Sequence, residues 1–412
     1  MVKKAISSLA LGLALVVGGT ATVAVAPAVA KEKPAKAPNF KLGTKVREAL
    51  MPIQKALAEN KIDEARAALA IADAAATTGD EKFVVGQYFL QAGGKANDSE
   101  LQAKGIDLMI DSGSAPADML SPLYQNRGSM AYQKKDYVKA EAAFAKLTEL
   151  NPSDGGMMIS LGELQYRNGK TDIALQTIAR AIAVKEATGA PAEQAWYQRG
   201  LSIAADKKLV PEVIRYGKLL VAAYPTPQNW RDSTELYLQL VKLDPQTSLD
   251  LFRLRFDTKS LMGERDWYEY AETTNARGLP GETATTLEAG MANGMLPKDS
   301  RAIAELKADA ASRVAADKAG LAGSEARAKS SPDGKTAKGT ADAWLGYGNN
   351  AKAIELYRLA ATKGNVDMNE LNTRLGIALL RSGDKPAAIE AFKQVTGPRA
   401  DVASYWAILA TK

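Results

Sequence analysis

The sequence predicts an all-α protein built from antiparallel helix pairs, and three observations support this prediction. The 412-residue chain is 46% hydrophobic but only 6% aromatic, and its many alanines with few β-branched runs favour helix over strand. The stretch KDYVKAEAAFAKLTELNP at 135–152 has apolar residues at helical spacing and ends at Asn-Pro. A similar pattern, GKTDIALQTIARAIA, begins 34 residues later at position 169, which indicates a repeat.

Two copies of this pattern align at four positions. Each has a glycine, a tyrosine four positions later, an alanine twelve positions later and a large apolar residue sixteen positions later. A small residue is expected where two helices cross, because a larger one would overpack the contact. The matched pairs are Gly128 and Gly162, Tyr132 and Tyr166, Ala140 and Ala174, and Phe144 and Ile178.

The pattern resembles that of the tetratricopeptide repeat (TPR) family, whose unit is two antiparallel helices in 34 residues. The resemblance implies a right-handed superhelix, an α-solenoid, in an exported bacterial member of the family. Further copies are expected at 195–225, where Pro211 departs from the family pattern, and at 340–397. The residues expected to pack the repeats are Gly128, Ala140, Phe144, Gly162, Ala174, Gly200, Ala353, Tyr357, Gly376, Ala388 and Phe392.

The N-terminus has the features of a secretory signal peptide. Lys3 and Lys4 precede an apolar run at 5–17, and APAVA ends the segment at Ala30. Two glycines interrupt the run after roughly 13 residues, short of the about 20 that a membrane anchor needs. The predicted location is therefore periplasmic or secreted. Without cysteine the chain cannot be a lipoprotein.

The rest of the chain divides by composition and by the regularity of the repeat. The predicted segments are a signal peptide at 1–30, a flexible basic tether at 31–44, an N-terminal TPR-like array at 45–227, diverged helical repeats at 228–297, a charged helix with a loop or hinge at 298–340, and C-terminal TPR-like repeats with a capping helix at 341–412. Whether the tether touches an anionic envelope surface is left open.

Composition also limits the chemistry. The chain has no cysteine and no histidine, so it lacks a thiol nucleophile, the commonest general base and the commonest metal ligand. Its net charge is +6, and no basic face with interleaved aromatics suggests nucleic acid. The expectation is a protein without catalytic residues, metal or cofactor, with no nucleic-acid partner and no integral membrane segment after cleavage.

The resemblance implies a binding groove lined by the first helix of each pair. The residues expected to be exposed there are Gln125, Ser129, Tyr132, Gln133, Glu163, Tyr166, Arg167 and Tyr197. Packing of Tyr132 and Tyr166 between helices is the alternative. Gln125 and Ser129 do not match the lysine and asparagine of the family's carboxylate-clamp subgroup.

Three functions follow as hypotheses. The first is a non-enzymatic scaffold that binds a protein or peptide of the cell envelope in the groove. The second is a structural or assembly accessory of the envelope or of polysaccharide export. The third, a carboxylate-based hydrolase of cell-wall glycans, would rest on a groove carboxylate such as Glu163. The sequence leaves the partner, the oligomeric state and the architecture of 228–340 open.

Overall fold

The computed structural model describes residues 39–412, which form twenty α-helices and one short 3-10 helix, with no strand in this range. The chain is all-α, as predicted. Successive helices pack as antiparallel pairs. The predicted signal peptide and most of the predicted tether, residues 1–38, lie outside the described residues.

The described helices group into two compact units, residues 39–151 and residues 152–412. The boundary lies inside the segment 45–227 that the sequence treats as one array. The helices of the first unit are α1 Thr44–Ala58, α2 Ile62–Ala75, α3 Gly79–Ala96, α4 Ser99–Asp111, α5 Ala117–Gln133 and α6 Tyr137–Leu150.

The second unit contains the remaining helices. They are α7 Gly155–Arg167, α8 Thr171–Glu186, α9 Gln194–Asp206, α10 Val210–Ala223, α11 Pro227–Leu240, α12 Pro245–Asp257, α13 Gly263–Ala276, α14 Pro280–Ala292, α15 Arg301–Ser330, α16 Lys335–Gly346, α17 Asn350–Lys363, α18 Met368–Arg381, α19 Lys385–Lys393 and α20 Ala400–Ala410. Gly397–Arg399 form the 3-10 helix before α20.

Short polar side chains begin many of these helices. An oxygen of each accepts a hydrogen bond from a backbone N–H in the first turn, which would otherwise lack a partner. These caps are Thr78, Asp98, Asp136, Asp154, Thr226, Asp244, Asn349, Asp367 and Asp384.

Glycines allow the two helices of a pair to approach closely. A Cβ atom on Gly128 would lie 2.7 Å from the ring of Phe144, and one on Gly200 only 2.2 Å from the ring of Tyr216. The same relation, a large residue sixteen positions after the glycine, joins Gly162 to Ile178 and Gly376 to Phe392. The alanines of the pattern, Ala140, Ala174, Ala353 and Ala388, are fully buried.

The middle of the second unit departs from the repeat. Every residue of α12 from Leu249 to Arg255 is buried, so the centre of this helix has no solvent face. Most of the charged segment predicted at 298–340 forms one 30-residue helix, α15. Most of the loop expected from KSSPDGKTAKG is helical, and only residues 331–334 separate α15 from α16.

A buried ionic cluster surrounds Asp250 of α12. Its carboxylate accepts hydrogen bonds from Nη1 of Arg253 at 2.9 Å, from Nε of Arg374 at 3.2 Å and from Nη1 of Arg399. Its backbone carbonyl accepts a hydrogen bond from Nε1 of Trp406 at 3.0 Å. Asp250 therefore joins α12 to α18, to the 3-10 helix and to α20.

Further acids compensate the surplus positive charge. Arg253 donates to both oxygens of Glu282, at 2.7 and 2.6 Å, and Arg374 donates to Asp342 at 2.7 Å. Burial is the largest single effect on the pKa of Glu282 and would raise it, but the charge and hydrogen bonds of Arg253, the hydrogen bond from Tyr270 and the charge of Arg381 together outweigh burial, and the net effect lowers this pKa. The network therefore extends to α14 and α16. The C-terminal helix α20 also packs on α10 and α12, so it does more than cap the last repeat.

The start of the described chain is bound to α3. Gly43 N–H donates to Glu81 Oε1 at 3.0 Å, and the N–H groups of Thr77 and Thr78 donate to Oε2 at 2.9 Å each. The ring of Phe40 stacks on Phe83 at 4.7 Å. Residues 40–43, the end of the expected tether, are thus held by specific contacts.

The glycine contacts predict opposite effects of one substitution at two sites. Gly200→Ala is expected to destabilise the protein by about 1–3 kcal/mol, because its Cβ would overlap the Tyr216 ring. Gly320→Ala, the matched control in an exposed part of α15 with no neighbour within 4 Å, is expected to stabilise by roughly 0.5–1 kcal/mol. Urea unfolding measures both. Equal effects at the two sites would contradict the packing role.

The Asp250 cluster predicts a large loss of stability on removal of its central charge. Asp250→Ala leaves three buried guanidinium groups without this partner and is expected to cost about 3–5 kcal/mol. Arg301→Ala removes an ion pair whose arginine side chain is 92% exposed, and is expected to change stability by less than about 0.5 kcal/mol. Thermal and urea unfolding provide the comparison. An Asp250→Ala midpoint equal to that of the control would disprove the role of the cluster.

Glu81 predicts a pH dependence of stability. Backbone hydrogen bonds from Thr78, Thr77 and Gly43 lower its pKa to about 2, below the roughly 4.3 of an unfolded chain. Its stabilising contribution is therefore complete above the unfolded pKa and is lost as the pH falls toward 2.

The measurement is the urea midpoint of wild type and Glu81→Gln between pH 2 and pH 6. Wild type is expected to be the more stable at pH 6, and the difference is expected to shrink on acidification. Glu100→Gln, at an exposed position of α4, is the control. A wild-type advantage that does not change with pH would rule out this role of Glu81.

Candidate partner-binding surface

In the first unit, the predicted groove residues lie along one face of α5. Gln125 and Gln133 are exposed, and Ser129 and Tyr132 are half-buried. The ring of Tyr132 packs edge-on against Tyr137 of α6, with centroids 5.6 Å apart. Tyr132 thus packs between the helices of its pair and remains partly accessible on the face of α5.

In the second unit, ion pairs surround Glu163 of α7. Its Oε1 accepts a hydrogen bond from Nε of Arg167 at 3.0 Å, and its Oε2 from Nε of Arg199 at 2.8 Å. Both oxygens of this carboxylate, on which the hydrolase hypothesis would rest, are therefore bonded to arginine side chains. The structure brings Glu163, Arg167 and the next first helix, α9, together in one contact.

Tyr166 also belongs to this cluster. Its hydroxyl donates to Asp206 Oδ2 at 2.7 Å, and this hydrogen bond raises the pKa of Tyr166. The guanidinium carbon of Arg199 lies 5.0 Å from the ring centroid, and the ammonium of Lys207 lies 5.4 Å from it. Both distances fall within the range of a cation–π interaction. The polar groups on this part of α7 and α9 mostly satisfy each other.

Tyr197 does not lie on the groove surface, and its predicted exposure is wrong. The residue is fully buried. Its hydroxyl donates to Glu186 Oε1 at 2.6 Å and accepts a hydrogen bond from the N–H of Ala192 at 3.1 Å. Burial, followed by the hydrogen bond to Glu186, raises the pKa of this phenol. Tyr197 faces the helix pair because it belongs to the apolar stripe of α9, together with Leu201 and Ala204.

The sequence analysis did not identify a groove between α9 and α11. This groove has a volume of about 380 Å³. Its lining residues are Gln198, Leu201, Ser202 and Ala205 of α9, Leu220 of α10, and Asp232, Glu235 and Leu236 of α11. The sequence feature that could have indicated this groove is the spacing of its lining residues, which lie three or four positions apart on α9 and on α11.

Two classes of site are not found in the described range. Among residues 39–412, no group of three or more acidic side chains is arranged to hold a metal ion. Nor does any helix of this range combine the length and apolarity needed to cross a membrane.

Models of the tetratricopeptide repeat family match two parts of the chain, residues 121–154 and 340–403. The first match contains most of α5 and all of α6. The second contains most of α16, all of α17, α18 and α19, and the start of α20. The chain contains tetratricopeptide repeats in these two parts. Tetratricopeptide repeats form protein–protein interaction scaffolds, and this protein is such a scaffold.

Comparison with solved structures finds similar chains at low sequence identity. A tetratricopeptide repeat protein from Parabacteroides merdae is 17% identical over 71% of this chain and 100% of its own, with a TM-score of 0.28. The Naa15/Naa10 complex bound to HypK-THB contains a chain 13% identical over 86% of this chain and 63% of its own, with a TM-score of 0.32.

The TPR domain of P58(IPK) is also 13% identical, over 82% of this chain and 98% of its own, with a TM-score of 0.27. The comparison with curated proteins finds no match.

Proposed function

We propose that this TPR protein is an exported, non-enzymatic scaffold that binds a protein or peptide of the cell envelope in the groove formed by its first helices. One observation carries the proposal. The first helices expose polar side chains that the core does not use, namely Gln125 and Gln133 on α5 and Gln198 and Ser202 on α9. In a repeat array such side chains are available to a partner.

Export rests on the N-terminal sequence. A basic pair, a short apolar run and the small residues before Lys31 have the order of a cleavable secretory signal. A partner in the cell envelope follows from that location.

Two features support a scaffold without catalysis. The groove carboxylate Glu163 is engaged by Arg167 and Arg199 on both oxygens. The chain also has neither the cysteine nor the histidine that commonly serves as a nucleophile or general base.

Site-specific photocrosslinking in cells tests the proposal. The photoreactive residue p-benzoylphenylalanine replaces Gln125 or Gln198, which are exposed on first helices, or Lys146 or Arg180, which are exposed on second helices. Within each unit, we expect the first-helix position to capture an envelope protein and the second-helix position to capture it much less, because the proposed groove lies along the first helices.

Mass spectrometry identifies the captured protein, and the N-terminus of the exported chain is sequenced in parallel. Capture from second-helix positions alone, or crosslinks only between copies of this chain, would reject the groove and favour the assembly-accessory hypothesis. A chain that stays in the cytoplasm would reject export.

A further inference from the structure

We infer that the groove between α9 and α11 binds an extended peptide segment in which a large apolar side chain lies next to a lysine or arginine. This inference rests on the proposed function, since it assigns a place and a chemistry to the partner. It moves the principal contact away from α5 and α7, where the sequence analysis placed seven of its eight groove residues.

The floor of the groove is apolar. Leu220 of α10 is fully buried and Leu201 of α9 is 4% exposed, while Ala205 and Leu236 are half-buried on the two walls. The volume of about 380 Å³ lies at the lower end of the range for ligand pockets. A groove of this size suits one large apolar side chain of an extended segment.

The rim of the groove is acidic. Its lining residues include two carboxylates, Asp232 and Glu235, and no basic side chain. Asp232 accepts a hydrogen bond from the neutral amide of Gln228 at 2.7 Å and has no ion pair with any residue in 39–412. Glu235 lies 3.4 Å from Arg255 Nη1. At least one negative charge at the rim is therefore uncompensated, and a lysine or arginine would complement it.

The polar side chains of α9 complete the site. Gln198 and Ser202 are exposed, one turn apart, on the wall opposite Asp232. An amide and a hydroxyl both donate and accept hydrogen bonds, so they can pair with the main chain of an extended peptide. An acidic peptide would be repelled by the rim, which gives the groove selectivity.

The neighbouring surface of α7 is a weaker candidate. There Glu163 is paired with Arg167 and Arg199, and the Tyr166 hydroxyl with Asp206. A partner would have to break these contacts before it formed its own. Within residues 39–412, the Asp232 carboxylate makes no ion pair that a partner must first disrupt.

A random heptapeptide library displayed on phage, selected against the purified full chain, tests the inference. We expect enrichment of sequences with leucine, methionine or phenylalanine next to lysine or arginine. Fluorescence anisotropy with the enriched peptide then gives the dissociation constant of each variant. Asp232→Asn is expected to weaken binding about tenfold, since it removes a charge-assisted contact, and the affinity of the wild type is expected to fall with added salt.

Two further variants make the test specific. Ser202→Trp fills the groove and is expected to abolish binding, with helicity unchanged because Ser202 is exposed. Asp299→Asn, a matched change at an exposed position before α15, is expected to leave binding unchanged.

An acidic consensus, an Asp232→Asn variant that binds like wild type, or no enrichment at all would overturn the inference. The scaffold proposal is tested separately by crosslinking. A partner captured at Gln198 whose capture does not change in the Asp232→Asn variant would retain the scaffold and reject this chemistry.

Discussion

The second unit depends on one buried carboxylate, that of Asp250. Three guanidinium groups, from Arg253, Arg374 and Arg399, converge on it. Removing such charges from water costs several kcal/mol per ion, and the cost is offset only if every charge keeps its partners in good geometry. Residues up to 149 positions apart in the chain must therefore take one arrangement. This constraint makes the C-terminal repeats part of the same packed unit as α12.

The repeats could be predicted from the sequence because their contacts are local and periodic. Gly128 contacts Phe144, and Gly376 contacts Phe392, in each case between two helices joined by a short loop. The same spacing of sixteen residues recurs along the chain. The Asp250 cluster has no such period, since Arg374 lies 124 positions away. The arginines of LDLFRLRFD would normally indicate a solvent face, and here they lie in the part of α12 whose residues are all buried.

The exposure of the candidate groove residues could be predicted in part from the sequence, but their hydrogen-bond and ion-pair partners could not. Repeat position placed Gln125 and Gln133 on the surface, and both are exposed. It failed for Tyr197, which the apolar stripe of α9 buries. Nor could it show which polar residues are already engaged, because Glu163 pairs with Arg199, 36 positions away, and Tyr166 with Asp206, 40 positions away.

The groove and the buried cluster are mechanically connected through α20. The ring centroid of Tyr405 lies 6.2 Å from that of Trp230 and 6.5 Å from that of Tyr237, both on α11. A Cβ atom on Gly217 of α10 would lie 2.5 Å from the hydroxyl oxygen of Tyr405. The next residue, Trp406, is hydrogen bonded to Asp250. The C-terminal helix thus positions both the floor and one wall of the groove. Because a preformed site loses less entropy on binding, the ionic cluster supports the proposed recognition in this groove without lining it.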